Sequence, residues 1–155
     1  MWYKKKKSTT PKTRKKLEDK SESELIAVLD VWFSKYIRLR DTMPNGYCRC
    51  ISCGKIKHIY DIDCGHYFSR RHLSTRFDER NANGECKYCN RFDSEHLEGY
   101  RDNLIRKIGE NEFMKLKVLK SSTKHFLHTE LIDMINYYKN ETKRLSTEKG
   151  IRISM

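Results

Sequence analysis

Four cysteines set as two Cys-x-x-Cys units, Cys50 with Cys53 and Cys86 with Cys89, have the spacing that a soft divalent metal requires. Each unit offers two thiolates from one tight turn, and two such units close a tetrahedral zinc site. A four-cysteine site is coordinatively closed, so its Zn²⁺ holds the fold and does not touch substrate. Any catalysis must come from other side chains. The 32 residues between Cys53 and Cys86 carry Asp61, Asp63, His66, His72, Asn81 and Asn83, and Asn90 directly follows the last cysteine. The stretch DIDCGHYFSRRH, residues 61–72, sets two acids ahead of its first histidine. Imidazole supplies a base near neutral pH without large tuning, and carboxylate and amide oxygens suit Mg²⁺. Cys48 and Cys64 fit neither pair and read as plain thiols, with Cys48 in CRCISC as the competing ligand.

The segment holding these residues, 47–90, is too poor in apolar side chains to fold without a staple, which the metal would supply. Within it only KIKHIYDID and the region around GHYFS read as strands. Helices must carry the rest. In SESELIAVLDVWFSKYIRLRD, Leu25, Ile26, Leu29, Trp32, Phe33, Tyr36 and Ile37 recur at spacings of three and four after a Ser21 or Ser23 cap. Pro44-Asn45-Gly46 then turns the chain into the first cysteine pair. After Cys89 a second stripe, Leu97, Tyr100, Leu104, Ile105 and Ile108, ends at Gly109. Phe113, Leu116, Val118 and Leu119 form a short helix, and Leu131, Ile132, Met134, Ile135, Tyr138 and Leu145 a last one.

These readings divide the chain into a basic arm (1–20), an amphipathic helix (21–43), a metal-stapled centre (44–96), C-terminal helices (97–147) and a tail (148–155). The fold class is α+β. The arm has nine Lys and Arg against two acids, and the whole chain 33 against 21, a net charge of +12. Clustered positive charge points to a polyanion such as DNA, contacted in the arm through Lys12, Arg14, Lys15 and Lys16. No apolar run reaches the roughly 18 residues that span a bilayer, and no secretory signal is seen, so the expectation is a cytoplasmic protein with no membrane partner. In a reducing compartment, six cysteines favour metal over disulfides.

CISCG, GHYFS, RFDERN, CKYCN, GYR and RKIG, in this order, resemble the NinG (Rap) recombination endonucleases of lambda-type phages. The likeness runs from about Tyr47 to Lys117. It implies a zinc-stapled HNH centre (ββα-metal, or His-Me finger) flanked by helices, acting in a bacterial or phage-infected cell. It further implies metal-dependent, structure-selective cleavage of branched DNA such as Holliday junctions and D-loops. By the resemblance His66 is the general base, Asn81 the brace of its loop, and Asn90 a ligand of a catalytic Mg²⁺ or Mn²⁺ ion. Arg70, Arg71, Arg76 and Arg80 would grip the DNA backbone near the cut. The alternative for Arg76 is an internal ion pair with Asp78 or Glu79.

One position departs from the HNH pattern. Many such enzymes carry the acidic ligand directly before the base, where this chain has Gly65 and the nearest acid is Asp63. Asp63 can serve as ligand if Gly65 bends or bulges its strand, with Asp61 as the substitute. His96, in the following helix, could point to the site or to phosphate, with a surface position the favoured reading. Two other function classes stay open: a non-catalytic zinc-knuckle DNA-binding protein, and an HNH nicking or restriction-type nuclease acting on plain duplex. Paired cuts across a junction, and more apolar helix surface than the centre can cover, favour a homodimer over the two long helices packing on each other within one chain.

Overall fold

The computed structural model describes residues 15–153; Lys12, Arg14 and most of the basic arm lie outside the described residues. Helix α1 (Glu22–Asp41) starts at Ser21, whose hydroxyl accepts from the Glu24 amide while the Glu24 carboxylate accepts from the Ser21 amide at 2.8 Å. This reciprocal capping satisfies two N–H groups that the first turn would otherwise leave bare. Helix α6 (His128–Lys149) lies against α1. Leu25, Leu29, Phe33, Tyr36 and Ile37 of α1 and Leu131, Ile135, Tyr138 and Leu145 of α6 share one core. The two apolar stripes therefore cover each other within one chain, which removes one of the two grounds for expecting a homodimer and leaves the other, paired cuts across a junction, as it was.

Between these helices lie two small antiparallel sheets, giving the mixed α+β architecture. Strands β1 (Tyr47–Arg49) and β2 (Ile56–His58) form the first, and the turn between them carries Cys50 and Cys53. Strands β3 (Ile62–His66) and β4 (Ala82–Cys86) form the second, paired one-to-one from Ile62 opposite Cys86 to His66 opposite Ala82. Helix α2 (Leu73–Arg76) interrupts the long connection between them, and α3 (Lys87–Phe92) follows β4 without a break. The cysteine-rich middle thus holds four strands where two segments were expected. β1 and β4 are three and five residues long and contain Cys, Gly and Asn, which weaken the β pattern in sequence.

Helix α4 (His96–Ile108) ends at Gly109, whose φ of 85° is readily available to glycine, and α5 (Glu110–Lys120) starts from the same residue. Tyr100 and Leu104 pack against Phe113 and Leu116, but Leu97 and Val118 are exposed, so the expected stripes are narrower than read. No helix among the described residues is long and apolar enough to cross a membrane.

Candidate metal centre and active-site cavity

The metal centre arises where the β1–β2 turn meets the end of β4. The Sγ atoms of Cys50, Cys53, Cys86 and Cys89 all lie within 4.8 Å of one another, with Cys53 and Cys86 3.9 Å apart. Four sulfurs about 2.3 Å from a tetrahedral Zn²⁺ would stand roughly 3.8 Å apart, so the donor set and its spacing fit such an ion. The Cys86 amide donates to Cys50 Sγ at 3.2 Å, the kind of bond that favours thiolate over thiol. Cys48 and Cys64 are not in the cluster. Burial pushes both thiols up to about 12, so neither offers a thiolate at neutral pH.

About 500 Å³ of open cavity lies along β3, bordered by Asp63, His66, Arg70, Asn90 and His96. Side chains from both faces of β3 border it, because among the described residues β3 pairs only with β4 and no strand covers its second edge. This also answers how Asp63 and His66 come to share a cavity: not through a bulge at Gly65, where the pairing is regular, but around the strand edge. Asp61 lies outside, exposed and 3.9 Å from Lys87.

His66 ends β3 with its ring 6.1 Å, centroid to centroid, from Phe33 of α1. Its Nε2 lies 2.9 Å from the carbonyl oxygen of Arg76. A carbonyl can only accept, so Nε2 carries the proton and Nδ1 the lone pair of the neutral ring. Burial pushes the pKa below its ordinary 6.5, against the opposing pull of the Arg76 carbonyl, and the ring is neutral at pH 7. Asn81 is fully buried; its amide donates to the carbonyls of Phe68 (2.9 Å) and Thr75 (3.0 Å), and its oxygen accepts from the Phe68 amide at 2.8 Å. One side chain thereby fixes both ends of the loop between His66 and Arg76. The Tyr100 hydroxyl, donating to the Gly65 carbonyl at 2.9 Å, anchors the strand just before it.

Asp63 and Asn90 face each other at 3.1 Å, Asn90 Nδ2 to Asp63 Oδ2. It is the amide nitrogen of Asn90 that faces the carboxylate, so for both residues to offer oxygen to one Mg²⁺ or Mn²⁺ ion the amide has to turn over. Arg91 also holds Asp63, through two hydrogen bonds of 2.7 and 2.9 Å. Burial raises the Asp63 pKa, but the bonds from Arg91 and Asn90 outweigh it and keep the carboxylate ionised. Arg91 was not foreseen in sequence, where it is one basic residue among many.

The four arginines separate into two kinds. Arg70 and Arg71 are exposed, and Arg70 borders the cavity. Arg76 instead pairs with Asp30 of α1, its Nε 3.0 Å from Oδ1, and Arg80 pairs with Asp78 and with Glu112 at 2.7 Å. Their guanidinium groups are already paired with acids, so a role at phosphate, as expected from the sequence, would require these pairs to open. The partner of Arg76 is also neither Asp78 nor Glu79. In the arm, Lys15 pairs with Glu24 at 3.2 Å and Lys16 is exposed.

For His96 the geometry favours a place at the site over the surface position expected from the sequence. It opens α4, borders the cavity, and sets Nδ1 2.6 Å from Oε1 of the fully buried Glu85. Ser52, inside the first cysteine turn, donates to the same carboxylate oxygen.

The sequence model described as "Bacteriophage Lambda NinG protein" matches residues 3–148. A protein named ninG of Escherichia phage 933W is 37% identical over 98 residues, covering 62% of this chain and 46% of that protein. The ninG proteins of Salmonella phage P22 (37% over 97 residues, 61% and 45% covered) and Escherichia phage lambda (36% over 98 residues, 62% and 45%) are similar to a like extent. The matched region spans about half the length of these relatives. No solved structure matches the chain.

Proposed function

The chain belongs to the NinG family of phage proteins, and from that premise we propose that it is a metal-dependent, structure-selective DNA endonuclease with an HNH-type centre. The observation that carries this reading is the hydrogen bond from His66 Nε2 to the Arg76 carbonyl, which fixes the tautomer of a ring that borders the same cavity as Asp63 and Asn90. A histidine held in one tautomer by a backbone acceptor, and neutral by burial, is prepared to take a proton. In the reaction His66 removes a proton from the attacking water as its oxygen closes on phosphorus, the bond from phosphorus to the leaving sugar oxygen breaks, and that oxygen takes a proton from solvent. Asn81 keeps the loop behind the ring from yielding. Arg70, free of acids and at the rim, meets the phosphate backbone. A Mg²⁺ or Mn²⁺ ion on Asp63 and Asn90 would offset the charge growing on the scissile phosphate. The four-cysteine centre, with Zn²⁺, holds β1–β2 against β4 and takes no part in the chemistry.

The rival reading, DNA binding without cleavage, has one observation in its favour. Arg91 already neutralises Asp63 with two hydrogen bonds, so a cation must displace it. Cleavage of a synthetic four-way junction, a flap and a plain duplex, with Mg²⁺ or Mn²⁺, decides between them. Wild-type protein should cut the junction, and His66→Ala should bind it normally while cutting about 10² to 10⁴ times more slowly. Binding without cutting by the wild type overturns the nuclease reading, and equal cutting of duplex overturns its selectivity for branched DNA.

A further inference from the structure

We propose that His96 is a third protein ligand of the divalent ion, oriented by the buried carboxylate of Glu85; this rests on the metal-dependent reading of the cavity above. Three observations meet here. Glu85 is completely buried, and its Oε2 has no hydrogen-bond partner among the described residues. A buried, half-satisfied carboxylate is costly and persists where it serves another group. That group is His96, whose Nδ1 lies 2.6 Å from Oε1.

The backbone makes room for the pair. A Cβ on Gly65, the strand position just before His66, would fall 2.8 Å from Glu85 Cβ and closer still to Oε2. The absence of a side chain at 65 lets the Glu85 carboxylate, from the neighbouring strand, occupy that space. Glu85 does not itself reach the cavity, but His96 does.

Protonation follows from the contact. A neutral imidazole donating Nδ1–H to Glu85 carries its lone pair on Nε2, and Nε2 has no hydrogen-bond partner among the described residues. A carboxylate behind the ring fixes its orientation, as it does for histidine ligands in general. His96 borders the same cavity as Asp63 and Asn90. One nitrogen and two oxygens favour Mn²⁺ and later transition ions over Mg²⁺ more than two oxygens alone would.

The test uses full-length, zinc-replete protein with Mn²⁺ as probe, read by electron paramagnetic resonance. Bound Mn²⁺ should show ¹⁴N coupling from one imidazole in the wild type and in His66→Ala. His96→Ala should lose that coupling and bind Mn²⁺ about 10 to 100 times more weakly, and Glu85→Gln should weaken binding about tenfold. His96→Asn, which keeps a polar partner for Glu85, guards against misfolding and should also lose the coupling. Failure of the wild type to bind Mn²⁺, bound Mn²⁺ without nitrogen coupling, or coupling that survives in His96→Asn would each overturn the proposal. Nitrogen-coupled Mn²⁺ in a protein that cuts no DNA would leave this ligand in place and remove the nuclease reading. Cutting without the coupling would do the reverse.

Discussion

Position 65 and the Glu85 carboxylate compete for the same space. The Gly65 backbone is regular β3, yet a Cβ there would stand 2.8 Å from Glu85 Cβ and 3.0 Å from Cδ. Glu85 cannot swing clear, because Ser52 and His96 hold its head and burial encloses its stem. Gly65→Ala should therefore destabilise the protein by about 1 to 3 kcal/mol, as overpacking of a closed site does. It should also weaken Mn²⁺ binding. Urea unfolding read by circular dichroism checks the first, and an unmoved midpoint would mean that β3 and β4 separate freely.

The pH dependence has a defined sign. Burial sets the folded pKa of His66 below the ordinary 6.5, so the unfolded chain takes up a proton that the folded one refuses. That contribution to stability is complete above about 6.5 and is lost as pH falls from there through the folded value. Cleavage should follow the same direction, with a rising limb below pH 6.5 and a plateau above it. Cysteine protonation and metal release also act at low pH, so the measurement is a difference. Between about pH 7.5 and about pH 5.5, melting temperature should fall further for wild type than for His66→Gln. Parallel curves would show that the ring titrates like a solvent-exposed one.

The four-cysteine cluster and the cavity bordered by His66 are joined through Ser52, which sits between Cys50 and Cys53 and donates to Glu85, the partner of His96. The α1–α6 core is a separate cluster, containing none of the four metal-binding cysteines. Elemental analysis should find about one zinc per chain. Removing it with a strong chelator should raise hydrogen exchange in 47–58 and 82–90 while α1 and α6 stay protected, and should abolish cleavage even in excess Mg²⁺. Uniform loss of protection would mean that the helices depend on the metal as well.

What was legible in sequence followed short-range rules. The cysteine spacing gave the metal cluster, and periods of three and four gave α1 and α6 with their buried residues, because both depend on neighbours a few positions away. His96 was legible only as one option of two. Its meaning comes from Glu85, eleven residues earlier on another element, and a fully buried acid has the same letter as a surface one. The pairing of Arg76 and Arg80 was hidden similarly: basic residues near a base suggest phosphate, and only the fold reveals that Asp30 and Glu112 reach them first. The apolar stripes of α1 and α6 were seen, but not that each is the other's cover.

Arg70 and Arg76, six residues apart, should respond to substitution in opposite ways. Arg70 is exposed at the cavity rim, so Arg70→Ala should weaken junction binding and reduce the slope of log K against log salt by about 0.9, the release of one counterion contact. Arg76 is tied by its side chain to Asp30 and by its carbonyl to His66 Nε2. Truncating that side chain frees the segment whose carbonyl holds His66 Nε2 and leaves the Asp30 charge unpaired, but it removes no phosphate contact. Arg76→Ala should leave the salt slope nearly unchanged, weaken affinity only by the modest repulsion of the bared carboxylate, and lower the single-turnover rate by up to about 10²-fold, the cost of a small misplacement at a reacting group. Asp30→Asn, which leaves Arg76 present but weakly held, should share the slower rate in milder form. Filter binding across a salt series, paired with single-turnover cleavage, separates the two residues. A drop in salt slope for Arg76→Ala would mean that the Asp30 pair opens when DNA arrives and that this arginine grips phosphate after all.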